Sequence, residues 1–160
     1  MKKILFFGIL IMATLSCKQS KQNVEKPTLP KANSQGFQIL PSLPQENIDA
    51  LFNNTDYIDV IFHAYGKSIN FSEKIGIQNT VRQITNIPQP EINCAVPFCR
   101  ITYYKLPKKL LEGEIHYGNG CAYFVFPDAE GKPQYANKVS PTGIAFFNDL
   151  INKFNAASNQ

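Results

Sequence analysis

The 160-residue sequence contains no tryptophan, only two histidines and only two methionines. Two histidines leave few candidates for imidazole-based proton transfer. Gly-x-Ser-x-Gly, His-Glu-x-x-His, a phosphate-binding glycine loop and Ser-x-x-Lys with its partners are all missing. The common hydrolase, zinc-protease and nucleotide-binding machineries are therefore not signalled. Glu112 and Glu114 form a carboxylate pair, but strand alternation puts them side by side on one face, with no pocket to exclude water. An excess of one charge is also missing. Lys and Arg number 16, Asp and Glu 12, for a net charge of +4. That is no basic footprint for nucleic acid. Beyond the first sixteen residues no apolar run approaches the ~20 needed to span a bilayer. The expectation is a non-enzymatic protein that needs no cofactor and does not bind nucleic acid.

What the chain does have is concentrated at its start. Lys2 and Lys3 precede an almost wholly apolar run, 4–12, which ends in Ala13-Thr14-Leu15-Ser16-Cys17. A basic start, a short apolar middle and a small-residue junction are the parts of a secretory signal. With Cys17 directly after the small residue, the segment resembles a bacterial lipoprotein precursor, Thr14-Leu15-Ser16-Cys17 standing as the lipobox. The resemblance covers the first 17 residues. It implies removal of 1–16 and acylation of Cys17. Each buried CH₂ contributes ~0.8 kcal/mol, and several chains together hold a protein stably on a membrane. It also implies a place in the cell envelope, at the outer membrane facing the periplasm, because Lys18-Gln19-Ser20-Lys21 lacks an aspartate after the cysteine. Without Lys2 and Lys3 the net charge falls to +2.

Residues 17–36 read as the lipidated terminus and a polar, proline-containing tether. Residues 37–160 are the right length for one domain. Its fold class is expected to be α+β: N-terminal helices, a four-stranded antiparallel meander, and a C-terminal helix packed on the sheet. The helices are expected over 46–52, from Asp56 to Tyr65, and over 73–85. Ile58, Ile61, Phe62 and Tyr65 recur at helical spacing, as do Ile77, Val81 and Ile84. Strands are expected over 99–105, 114–117, 122–126 and 134–139. Asn119-Gly120 is a tight-turn signal, since both residues tolerate positive φ. It pairs Gly118 with Cys121, Tyr117 with Ala122, His116 with Tyr123 and Ile115 with Phe124. Ser140 as N-cap, Pro141 at the first helical position, and the apolar set Ile144, Phe147, Leu150, Ile151 and Phe154 specify the last helix.

Four residues stand out as possible chemistry. With Cys17 acylated, Cys94, Cys99 and Cys121 remain, and the hairpin register puts His116 on the same side as Cys121. Three thiolates and an imidazole are a closed set for Zn²⁺ or a soft site for Cu(I). An exported protein instead favours a disulfide. Cys94 with Cys99 would close a small loop, and Cys94 or Cys99 with Cys121 would tie that loop to the sheet. A free redox thiol is a third use, without a Cys-x-x-Cys to support it. A second polar set, Asp56, Asp59 and His63, shares one face of the expected helix, where carboxylates would raise the imidazole pKa. Asp128 and Glu130 lie in a turn without the ligand series of a calcium loop. Lys105, Lys108 and Lys109 make a basic connection able to meet lipid headgroups or an acidic partner. Tyr103, Tyr104, Tyr117 and Tyr123 offer aromatic contact area. The function these features suggest is a membrane-anchored binding or structural module, with an envelope protein or small ligand as partner. The alternative is a metal or redox accessory protein using Cys94, Cys99, His116 and Cys121.

Overall fold

The computed structural model describes residues 40–89, 94 and 96–158. The signal-like segment, Cys17 and nearly all of the tether lie outside the described residues. In chain order the elements are α1 (Gln45–Asn54), β1 (Tyr57–Phe62), a 3₁₀ turn (His63–Tyr65), β2 (Lys67–Phe71), α2 (Lys74–Val81), β3 (Ile84–Pro88), β4 (Cys99–Lys105), β5 (Lys108–Gly118), β6 (Cys121–Pro127), β7 (Pro133–Val139) and α3 (Pro141–Ser158). Seven strands form one antiparallel sheet in the order β2-β1-β4-β5-β6-β7-β3. None of the described helices is long and apolar enough to cross a membrane.

The expected architecture is overturned. The chain is mostly strand, with a seven-stranded sheet in place of a four-stranded meander behind N-terminal helices. The helix expected from Asp56 to Tyr65 is β1 and a 3₁₀ turn. Its burial alternates strictly, with Ile58, Val60 and Phe62 inward. That is the two-residue period of a strand, and β-branched residues suit it. Gly66, at φ 57°, turns the chain back into β2. The helix expected over 73–85 stops at Val81, and Ile84 opens β3. Pro88 ends an edge strand there, where a missing N–H is tolerated.

In the second half the turn and cap signals hold, but the strand expected over 114–117 begins at Lys108, so Lys108 and Lys109 of the expected connection are paired strand residues. Asn119 and Gly120 both have positive φ, 51° and 86°. The β5–β6 pairs are those set by the turn: Gly118 with Cys121, Tyr117 with Ala122, His116 with Tyr123, Ile115 with Phe124. Ser140 Oγ accepts the Gly143 N–H at 3.1 Å, capping α3. A Cβ on Gly143 would stand 2.6 Å from Val139 Cγ1. Only glycine lets the helix approach the sheet so closely.

All three helices lie on one face of the sheet. Ile48 and Leu51 of α1, Ile77 and Val81 of α2, and Phe147, Leu150 and Phe154 of α3 share one core. Its floor is Ile58, Val60, Phe62, Ile101, Tyr103, Ile115, Phe124 and Phe126. Phe98 sits among Phe62, Tyr65, Tyr117 and Phe147, with ring centroids 5.4–6.1 Å away. Asn137, fully buried, fastens the N-terminal segment to the sheet. Its Oδ1 accepts the Leu43 N–H at 2.9 Å and its Nδ2 donates to Thr85 O at 2.8 Å.

Candidate functional site

Among the described residues the opposite face of the sheet carries no helix. Strand register assigns its side chains to rows: Asp59, Thr102 and Glu112 in one; Ile61, Arg100, Glu114, Val125 and Ala136 in the next; His116, Tyr123 and Lys138 in a third. Around β6 this face is closed. Cys121, Tyr123 and Val125 form a small second core with Cys94. A disulfide joins Cys94 to Cys121, with Cα atoms 6.5 Å apart. The Cys94 N–H donates to Tyr123 Oη at 3.1 Å. Cys94 is thereby fixed over β6. Of the pairings open from sequence, the structure makes Cys94–Cys121.

Cys99 is not part of that cluster. It pairs with Ile115 across β4 and β5 and belongs to the helix-side core, fully buried with a free thiol. Burial pushes its pKa far above the ordinary thiol range. The same burial, and then the neighbouring Cys99, push up the phenol of Tyr103. A thiol held neutral is a poor nucleophile and a poor metal ligand. Cys94, Cys99, Cys121 and His116 therefore do not converge: two are bonded to each other and the third is on the other side of the sheet. Among the described residues no group of three His, Cys, Asp or Glu is placed to hold an ion.

His116 lies on the stapled side, 5 % exposed. Its ring stacks on Tyr123 with centroids 5.0 Å apart. Nε2 stands 3.5 Å from Glu114 Oε2, and Nδ1 is buried without a hydrogen-bond partner. Packed against a phenol ring and closed off from water, it serves structure better than proton shuttling. Asp56, Asp59 and His63 do not form a site, because the helix expected to align them is a strand. Asp56 and His63 lie beyond opposite ends of β1, about 20 Å apart at ~3.3 Å per residue. Asp56 Oδ1 accepts the Leu106 N–H at 3.0 Å. Asp59 is on the helix-free face, and His63 is in the exposed 3₁₀ turn. Lys105, Lys108 and Lys109 stand at the β4–β5 hairpin end, Lys109 paired with Glu112 at 3.1 Å.

Over β1, β4 and the adjoining part of β5 the described residues leave the helix-free face open. Tyr57 and Tyr104 pair across the strands, rings 6.0 Å apart and half-buried. Asp59, Arg100, Glu112 and Glu114 are also half-buried there, and Thr102 is buried between them. Of the four tyrosines expected as contact area, only Tyr104 serves. Tyr103 and Tyr123 are buried, and Tyr117 is on the helix side with its hydroxyl 2.9 Å from Ile144 O. Sequence reasoning missed Tyr57 and Arg100. The signal that would have found them is alternation through β1, where Tyr57, Asp59 and Ile61 take the opposite side from Ile58, Val60 and Phe62. Two clefts lie beside α1 instead. One of about 350 Å³ runs between Ile48, Phe52, Val81, Arg82 and Ile84, and one of about 210 Å³ lies against Leu110 and Leu111.

Fold and site together define a sheet domain with one helix-covered face and one stapled, half-open face. No family model, curated protein or solved structure matches the chain.

Proposed function

We propose that this chain is a non-enzymatic protein-binding module of the bacterial envelope, carried on acylated Cys17, with the open half of its sheet as the binding surface. The observation that carries this reading is the unequal cover of the helix-free face among the described residues: closed and cross-linked around Cys121, Tyr123 and Val125 of β6, open over β1, β4 and the adjoining Glu112 and Glu114 of β5. Its side chains stand on neighbouring strands of one sheet face, an extended surface that favours a protein over a small ligand. It combines a tyrosine pair, an arginine and carboxylates, residue types that protein interfaces combine at core and rim. The Cys94–Cys121 disulfide supports export to an oxidising compartment. The signal-like segment supports the anchor.

Two experiments test the reading. A photo-crosslinking residue in place of Tyr104, used in living cells, is expected to give one discrete protein adduct. Arg100→Glu is expected to abolish it, and the same probe at exposed Lys153 on α3 to give none. No adduct from position 104, or the same adduct from 153, contradicts the binding surface. Cys17→Ser is expected to move the chain from the membrane fraction to the soluble fraction. Unchanged fractionation contradicts the anchor.

A further inference from the structure

Among the described residues the sheet has two free edges, and they are built differently. β3 is a guarded edge. Its register with β7 shifts between Ile84 and Pro88, Pro88 removes a donor, and the Thr85 hydroxyl takes up the Ile87 N–H at 3.4 Å. Bulges and prolines are how natural sheets prevent edge-to-edge pairing. β2 has none of these devices. It pairs with β1 in five consecutive steps without a shift and contains no proline. Its one charge, Lys67, turns its ammonium onto the Phe154 ring, 5.0 Å from the centroid.

We infer that β2 is a self-association edge, pairing antiparallel with β2 of a second copy of this chain to continue the sheet across a two-fold axis. The segment is self-complementary when centred on Ile69. That register sets Ile69 against its own copy, Ser68 against Asn70, and Lys67 against Phe71. Phe71 faces the helix side, since it pairs with buried Ile58, so Lys67, Ile69 and Phe71 share that side. Apolar residues then meet apolar residues and a lysine stem on one face, and polar meets polar on the other. No like charges are opposed, which is the condition for stable cross-strand pairs. The helix layer agrees with this arrangement. α2 follows β2 after a two-residue turn and lies over its end, where a Cβ on Gly76 would meet the Phe71 ring at 3.2 Å. The start of α2 is therefore at this end of the helix layer, where Ile75 is 73 % exposed. The register is isologous, as a two-fold pair of identical chains requires; the backbone edge of β2 adjoins the open face, with Ser68 and Asn70 beside Ile61 and Asp59, but does not include Tyr57, Arg100 or Tyr104.

The test is sedimentation equilibrium on residues 17–160 carrying Cys17→Ser, with circular dichroism to confirm folding. The chain is expected to dimerise reversibly. Ser68→Lys with Asn70→Lys opposes two lysine pairs and is expected to weaken the dimer at least about tenfold. Ser68→Glu with Asn70→Lys opposes unlike charges and is expected to restore it to within about threefold of the original. Both positions are exposed, so folding is expected to survive. A chain that stays monomeric to about 1 mM, on the millimolar end of the affinity scale, overturns the inference. So does a dimer indifferent to both double variants, or one weakened equally by both.

Discussion

The two faces of this sheet are closed by different means. The helix side buries a broad aromatic core under the three described helices, and no disulfide among the described residues crosses it. On the other side Cys121, Tyr123 and Val125 form a small second core with Cys94, and a covalent bond holds Cys94 there. Apolar burial stabilises in proportion to area, at roughly 25 cal/mol per Å². The area of that small cluster is modest, and the disulfide adds to it. The cysteines are divided the same way. The pair that is bonded fixes the thin side, and the one packed in the thick core stays a thiol.

The largest single effect is expected on the thick side. Phe124→Ala should cost about 3–5 kcal/mol in urea unfolding, through lost transfer energy and the cavity left behind. Removing the staple with Cys94→Ser and Cys121→Ser should cost about 3–4 kcal/mol, as expected for closing a 27-residue separation. Hydrogen exchange should then accelerate around Tyr123 and Val125 and stay slow in the helix-side core. A loss under about 1 kcal/mol would mean Cys94 is held there without the bond. Asn137→Ala leaves the Leu43 N–H and Thr85 O without their partner, and should cost about 2–3 kcal/mol for two buried groups.

Alkaline pH probes the thick core without a mutation. Cys99 and Tyr103 stay protonated when folded, because burial raises both values. In the unfolded chain the thiol ionises near pH 8.5 and the phenol near pH 10. The unfolded state therefore binds fewer protons above these values, and stability falls as pH rises. The contribution is complete below about pH 8, and about 2 kcal/mol should be lost between pH 8.5 and 10. Cys99→Ala should flatten the part of this slope that begins near pH 8.5; an unchanged slope would remove Cys99 from the account. The smallest effect is expected on the thin side. His116→Phe keeps a ring against Tyr123 and removes the unpartnered Nδ1, so stability should change by less than about 1 kcal/mol.

The same division by neighbourhood explains what the sequence made legible. Residues 99–105, the β5–β6 register, β7 and the α3 cap could be read because local turn and cap chemistry specifies them. Asn119-Gly120 sets a register by itself, and Ser140-Pro141 sets a helix start. β1 was illegible because it is apolar on both sides. Ile58, Val60 and Phe62 serve the core while Tyr57 and Ile61 serve the half-open face, so the run also satisfies a helical period. β2 and β3 are short edge strands with mostly exposed residues, and only their long-range partners make them strands. The expected meander lacked those three strands. The site was partly legible for the same reason. Hairpin register put His116 beside Cys121, but the side of the sheet taken by Cys99 depends on its pairing with Ile115, which no local signal encodes.

The central claim is that one cystine staples the thin face while Cys99 is sealed in the thick one. Thiol mapping by alkylation and peptide mass spectrometry, on residues 17–160 with Cys17→Ser and without reductant, tests it directly. The native protein should present no reactive thiol, and the denatured protein one, at Cys99, with Cys94 and Cys121 recovered as a linked pair. A Cys94–Cys99 link, or a Cys99 thiol alkylated as fast in the native state as in the denatured one, would contradict it.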